Sequence, residues 1–343
     1  MPNFTFLKNN KSFNSFCEAC LEAEKSMAVS YSLTAITARR ALELSVKWVY
    51  ANDETLEVPY QDTLSALIYD QSFLRLVPPA LAEPMRYIQK LGNKAVHTAS
   101  PVRREQAVLA LKNLFSFVTW VEYAYGQTYE KGRVFDDSNL ADETEKRTKE
   151  TLVKLLNKYK ETDRKLSEMV AENERLRELG AEARRDHEAA REFDVDTLTE
   201  WETRKMYIDL ELELKGWQFN RDCLVEVPVT GMPSDSGEGY VDYVLYDEDK
   251  KPLAVVEAKR TSVNPKVGKT QALAYANCLE KQYGVKPVMF YTNGFEYFLW
   301  DDEEYPERRV SGVYTKAELQ WLKFKQKNKK TLSNVAVNDA ITN

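Results

Sequence analysis

Histidine is nearly missing from the 343 residues, with His97 and His187 the only two. Serine–histidine hydrolysis and histidine-rich metal chemistry are hard to build from so few imidazoles. Cysteine is scarce too: Cys17, Cys20, Cys223 and Cys278. Cys17 and Cys20 have a metal-like spacing, but no second pair follows, so reduced cysteines packed in cores are expected rather than zinc ligands. Glycine and proline number 12 each while charged residues make up 30%, a balance that suits a helix-rich folded chain better than a disordered one. No apolar run approaches the length that spans a bilayer. Met1-Pro2-Asn3-Phe4 has neither the basic nor the apolar region of a signal peptide. The expectation is a cytoplasmic protein with no membrane partner. A basic excess is also missing, the formal net charge being -6. Any nucleic-acid contact must then come from a local patch, or from a metal that offsets acidic groups.

What is present falls into three stretches. Residues 1–130 read as a small all-α domain. Apolar residues recur at helical spacing in Ser32 to Ala51 and Tyr60 to Tyr69. Pro78-Pro79 opens a helix to about Leu91, with Gly92-Asn93 as its interruption, and Ala107 to Tyr125 is strongly apolar. Residues 141–192 are a dense mixture of Glu, Lys and Arg in which Leu152, Leu155, Tyr159, Thr162, Leu166, Met169, Asn173 and Leu176 keep a 3-4 spacing. That is a coiled-coil seam, suited to one long helix between domains and to self-association, or else a solvated helical linker packed on its own chain. From residue 198 the pattern alternates. An amphipathic helix, Thr199 to Leu214, precedes strands at Leu224–Val229, Tyr240–Tyr246 and Leu253–Lys259. A helix over 269–283 and strands Val288–Thr292 and Glu296–Trp300 follow. The order α-β-β-β-α-β-β predicts an α/β sandwich with a mixed central sheet over 198–322, and 323–343 reads as a linker.

One constellation in that domain carries chemistry. Asp242 stands inside an apolar strand, and Glu257 and Lys259 end another. Residues two apart on a strand share a face, so Glu257 and Lys259 point the same way, and a hairpin can bring Asp242 to that face. Burying such charges without partners is costly. Two carboxylates and a backbone carbonyl would leave Mg²⁺ with water-filled positions, as phosphodiester chemistry requires. Lys259 could then position or deprotonate the attacking water, or steady charge on the phosphate. The glutamate-x-lysine triplet alone is weak, since it also occurs at Glu213/Lys215 and Glu248/Lys250. Those two lie on a helix and in a polar turn. The bland alternative for the third is a structural ion pair. Gly268-Lys269-Thr270 looks like the end of a phosphate-binding loop, but Val263 stands where that loop needs glycine, so ATP binding there is not expected.

The same residues resemble a family. Residues 198–322 are similar to the N-terminal nuclease domain of type I restriction enzyme R (motor and endonuclease) subunits, within the PD-(D/E)xK nuclease superfamily. The matching pieces are Glu202-Thr-Arg204, Ile208-Asp209, Gly216-Trp217, Gly239-Tyr-Val-Asp242-Tyr and Leu253-Ala-Val-Val-Glu257-Ala-Lys259. Gln271-Ala-Leu-Ala-Tyr275-Ala and Thr292-Asn293-Gly294 complete the set. The resemblance implies that Asp242 and Glu257 hold Mg²⁺, that Lys259 is catalytic, and that Glu202 is an acid able to approach the metal. It also implies that Gln271 and Tyr275, one helical turn apart, engage DNA together with Arg204. The implied substrate is foreign double-stranded DNA. The implied partners are methyltransferase and specificity subunits, and ATP enters only through motor domains that this chain lacks. The sequence stops about where such a motor would begin, which predicts an N-terminal fragment. Alternatives are an assembly or DNA-binding module inactive on its own, or a stand-alone nuclease. Residues 1 to about 128 resemble an uncharacterised helical domain fused ahead of such subunits, through Arg39-Arg-Ala-Leu-Glu43 and Met85-Arg86 to Gly92-Asn93-Lys-Ala-Val-His97. They are distantly similar to HEPN domains, but Arg86 and His97 are too far apart in sequence for the HEPN ribonuclease pair, so Arg39, Asn93 and His97 are expected to tie helices together.

Overall fold

A computed structural model describes residues 2–97, 101–140, 174–193, 200–233, 237–259, 265–301 and 306–328. The chain divides into two compact units, Met1–Leu198 and Thr199–Asn343. Among the described residues no helix is long and apolar enough to cross a membrane.

The first unit is helical: α1 (Asn14–Lys25), α2 (Tyr31–Asn52), α3 (Leu64–Tyr69), α4 (Gln71–Leu76), α5 (Pro79–His97), α6 (Arg104–Tyr125) and α7 (Glu174–Ala190). Helix α2 is buried on most sides because α1, α5 and α6 all pack on it. Trp48 on α2 meets Phe13, Phe16 and Tyr125 edge to face at 5.1, 5.8 and 5.5 Å, the orientation that aromatic quadrupoles favour. The expected interruption at Gly92 does not occur, and α5 runs through it. The glycine serves close packing instead: a Cβ there would sit 2.5 Å from Cβ of Arg39 on α2.

Part of the segment expected as a helix between domains belongs to the first unit, where Glu174–Ala190 packs against α2 and α6. Gly180 lets it touch α2, since a Cβ there would fall 1.6 Å from the Asn52 carbonyl oxygen. Cations within it and just past its end serve as caps. Arg177 donates to the carbonyls of Asp53 and Leu56 at 3.3 and 2.6 Å, just past the end of α2. Arg191 donates to those of Tyr123 and Gly126 at 2.8 and 3.0 Å, and His187 Nδ1 lies 2.8 Å from the Ala124 carbonyl oxygen. Helix C-termini leave carbonyls without helical partners and attract positive charge, so α7 closes the ends of α2 and α6. Leu176, the last seam residue, is 45% exposed. The seam from Leu152 to Asn173 lies outside the described residues.

The second unit is a mixed sheet with helices on both faces. Strands β1 (Cys223–Thr230), β2 (Glu238–Tyr246), β3 (Pro252–Ala258), β4 (Val288–Thr292), β5 (Tyr297–Trp300) and β6 (Arg308–Val310) lie side by side in chain order. Among the described strands only the β3–β4 pair is parallel, and helix α9 (Lys269–Tyr283) makes the crossover that a parallel pair needs. Alternating residues sort the core. Tyr243, Leu245, Val256 and Phe290 pack with Ile208 and Leu212 of α8 (Glu200–Leu214) and Leu319 of α10 (Lys316–Lys327). Val244, Val255 and Met289 pack with Ala272, Ala276 and Leu279 of α9. The short edge strand β6 and helix α10 extend the five expected strands. A capping box of Thr315 and Glu318 starts α10, which continues past residue 322, where a linker was expected.

In the first unit Asp53 is wholly buried and accepts hydrogen bonds from Arg184 of α7 at 2.7 Å and Tyr125 of α6 at 2.8 Å. Burial raises its pKa, but the bonds from Arg184, Thr55 and Tyr125 outweigh this and hold the carboxyl below its ordinary value. Asp53→Ala leaves Arg184 without its buried counter-charge, and chemical denaturation is expected to show a loss of about 3–5 kcal/mol. Because the folded pKa is depressed, this contribution is complete above the unfolded value of about 3.9. It fades as pH falls through the folded value, so the cost of Asp53→Ala measured at pH 7 should shrink on acidification.

Candidate active site

Strands β2 and β3 bring Asp242 and Glu257 together. Their last backbone pair is Tyr243↔Val256, and one more step in that antiparallel register sets Asp242 opposite Glu257. Both lie on the α9 face, in alternation with Val244 and Val255. Beyond the last pair the strands part, and the Ala258 N–H donates to Oδ2 of Asp242 at 2.6 Å. Strand β3 instead continues toward β4, where the Lys259 N–H donates to the Thr292 carbonyl at 2.7 Å. That backbone bond fixes the end of β3 against β4 and leaves the Glu257 and Lys259 side chains at the opened end of the β2–β3 pair.

A chain of hydrogen bonds runs from there to α9. Lys259 Nζ donates to Oε1 of Glu257 at 2.7 Å and to Oε1 of Gln271 at 2.6 Å. Gln271 Nε2 donates to the Tyr275 hydroxyl at 2.8 Å. Glu257 is buried, and Asp242, Lys259 and Gln271 are half-buried. Burial pushes the Tyr275 phenol up, and the charges of Glu257 and Asp242 push the same way. Gly268, just before α9, makes room: a Cβ there would meet Lys259 Cε at 3.1 Å and Glu257 Cγ at 3.2 Å. The structure therefore brings Asp242, Glu257, Lys259, Gln271 and Tyr275 together on one sheet face. Glu202 and Arg204 fall in the first turns of α8, and their side chains lie outside the described residues.

Two supports of the site do not stand out in the sequence. Gly268 figures there only within a rejected phosphate-loop match, and its role as a spacer needs the fold. Asp209 of α8 is buried and accepts from the Tyr243 hydroxyl at 3.0 Å, tying that helix to the strand that carries Asp242. In the sequence Asp209 is visible only as part of the family motif. Among the described residues no group of three or more His, Cys, Asp or Glu side chains is placed to hold a metal. His187 belongs to the first unit and caps a helix there. All four cysteines are free and buried.

Comparison with known proteins covers both units. The family model described as the type I restriction enzyme R protein N terminus matches residues 113–308. The chain belongs to that family. A second model, of a domain of unknown function, matches residues 21–142. Among solved structures, a fragment described as an HsdR subunit of a type I restriction enzyme from Vibrio vulnificus YJ016 shares 26% identity. The match covers 39% of this chain and 27% of that one, with a TM-score of 0.32. No curated protein matches.

Asp209→Ala removes the acceptor from the Tyr243 hydroxyl, which is nearly wholly buried. An unsatisfied buried donor costs about 1–3 kcal/mol. Urea unfolding should show that loss, and an unchanged midpoint would mean that the hydroxyl is satisfied elsewhere.

Proposed function

We propose that the second unit is the nuclease module of a type I restriction R subunit, a PD-(D/E)xK-type domain that hydrolyses phosphodiester bonds in foreign double-stranded DNA with Mg²⁺. The observation that carries this reading is the meeting of Asp242, Glu257 and Lys259 on one sheet face, with Lys259 hydrogen-bonded to both Glu257 and Gln271. Membership of the R protein family supports it.

The donor set fits the ion. Asp242 and Glu257 offer only hard oxygen donors on adjacent strands, and Mg²⁺ is commonly held by one or two carboxylates with water completing its shell. When bound, the ion would neutralise charge on the phosphate and lower the pKa of a coordinated water. The chain's own groups do the rest. Glu257 holds the Lys259 ammonium beside the acid pair, and Gln271 fixes it from the other side. Lys259 thus has a defined position from which to orient water or meet developing negative charge. Tyr275 keeps the Gln271 amide aligned. Sequence recognition by a specificity subunit, methylation by a methyltransferase subunit and ATP-driven translocation by motor domains complete the proposed complex.

Asp242→Ala is expected to remove both metal binding and cleavage, because Glu257 alone holds Mg²⁺ weakly. Lys259→Ala is expected to lower cleavage about 10²–10³-fold, the cost of one well-placed donor, while metal binding persists or tightens as the nearby positive charge is lost. Calorimetric titration with Mg²⁺ beside a nicking assay of the complete R subunit with its partners reads both. Full cleavage by Lys259→Ala would leave the lysine as an ion-pair partner only and end its catalytic assignment.

A further inference from the structure

The face that carries Glu257 continues across the sheet. Glu257 lies beside Tyr291 of β4, Tyr291 beside Phe298 of β5, and Phe298 beside Arg309 of β6. Tyr291 and Phe298 stack with ring centroids 5.5 Å apart. Two lysines overlie aromatic rings of this sheet face. Lys266 Nζ stands 5.3 Å from the Phe298 ring centroid, and Lys269 Nζ stands 4.3 Å from that of Trp300. Both also converge on one carboxylate. Lys266 is 3.3 Å from Oε1 of Glu307, and Lys269 pairs with Oε2. Between the two lysines lies Gly268, the residue packed against Glu257 and Lys259.

We propose that Lys266 and Lys269 form a binding clamp for a backbone phosphate of the DNA strand entering the Asp242–Glu257–Lys259 site, and that Glu307 occupies this clamp when DNA is absent. The inference rests on the nuclease reading of that site and adds a phosphate subsite next to it. The two oxygens of the Glu307 carboxylate engage one ammonium each, as two non-bridging oxygens of a phosphate would. Each ammonium group also lies over an aromatic ring, Phe298 for Lys266 and Trp300 for Lys269, so the clamp is shaped before DNA arrives. The Lys269 hydrogen bond comes first among the causes that bring the Glu307 carboxyl down to about 2, with its own backbone and Lys266 assisting. Glu307 is therefore fully charged at neutral pH. The lysine side chains are 51% and 34% exposed, so a phosphate can reach them once the carboxylate gives way. This local patch also answers how a chain of net charge -6 can hold DNA.

The test uses the full chain, a fluorescein-labelled DNA duplex and anisotropy in EDTA, so that binding is read without cleavage. Glu307→Gln frees the clamp and is expected to bind about two- to fivefold tighter, the scale of one partly exposed charge pair. Lys266→Gln and Lys269→Gln are expected to bind more weakly and to flatten the dependence of log Kd on log salt, by about one between them for the lost phosphate contact. In the protein carrying both lysine changes, Glu307→Gln should bring no gain. Equal or weaker binding by a Glu307→Gln protein with an unchanged melting curve overturns the proposal. If that variant melts early, the lysine variants decide: wild-type affinity and salt slope in both overturn it. Failure of the nuclease reading looks different, as duplex binding that keeps the lysine dependence while Mg²⁺ produces no nicking. Absence of duplex binding in every protein, wild type included, overturns the clamp, while Mg²⁺-dependent nicking still decides the nuclease reading by itself.

Discussion

The second unit depends on where β2 and β3 stop pairing. Backbone bonding between them ends at Tyr243 and Val256, and the next step is made by a side chain, Asp242, which accepts from the Ala258 N–H. A strand end left without a partner would leave the backbone donor of buried Ala258 unpaired, which is costly. The carboxylate meets that donor and is fixed by it. The same parting gives Glu257 and Lys259 room beyond the sheet while β4 continues to hold β3 from the other side. One local exchange of backbone for side-chain bonding thus positions the acid, opens the site and keeps the central strand in place.

The first unit uses charge in another way. Arg177 and His187 of α7, with Arg191 just past its end, bind carbonyls at the ends of α2 and α6, and Arg184 enters the buried network of Asp53 and Tyr125. An Arg- and Glu-rich helix of this kind usually faces water, and here part of it is internal. The two family models overlap over residues 113–142, which takes in the C-terminal half of α6 and the end that α7 caps. The R protein model therefore begins within the helical unit and runs on into the sheet.

Much of the second unit is legible in the sequence because its signals are local. Apolar strands bounded by polar turns locate β2 to β5, and the helix over 269–283 and the strand Val288–Thr292 have the bounds expected for them. The common face of Asp242, Glu257 and Lys259 follows from period-two alternation plus a hairpin. Strand β6 escapes such a reading because three residues, two of them arginine, carry no periodic signal. Helix α10 has a readable start, Thr315 with Glu318 three residues on, but the expected order of elements ends at the strand Glu296–Trp300 and leaves this helix out. Gly92 misleads because a glycine that permits Arg39 to approach looks, in sequence, like one that ends a helix. The docking of α7 and the meeting of Lys266, Lys269 and Glu307 depend on contacts between residues far apart in the chain, which no local pattern encodes.

Strand β3 is buried at every position from Pro252 to Ala258 and has a hydrogen-bonded neighbour on each side. Glu257 itself lies one step past the last β2–β3 pair, yet it is held in that buried layer by β4, opposite Tyr291, and by the bond from the Ala258 N–H to Asp242. Natural variation that tunes such a site is then confined to its surroundings, the α9 face and the approach over β4 and β5, because a change in the strand itself is felt first by the fold.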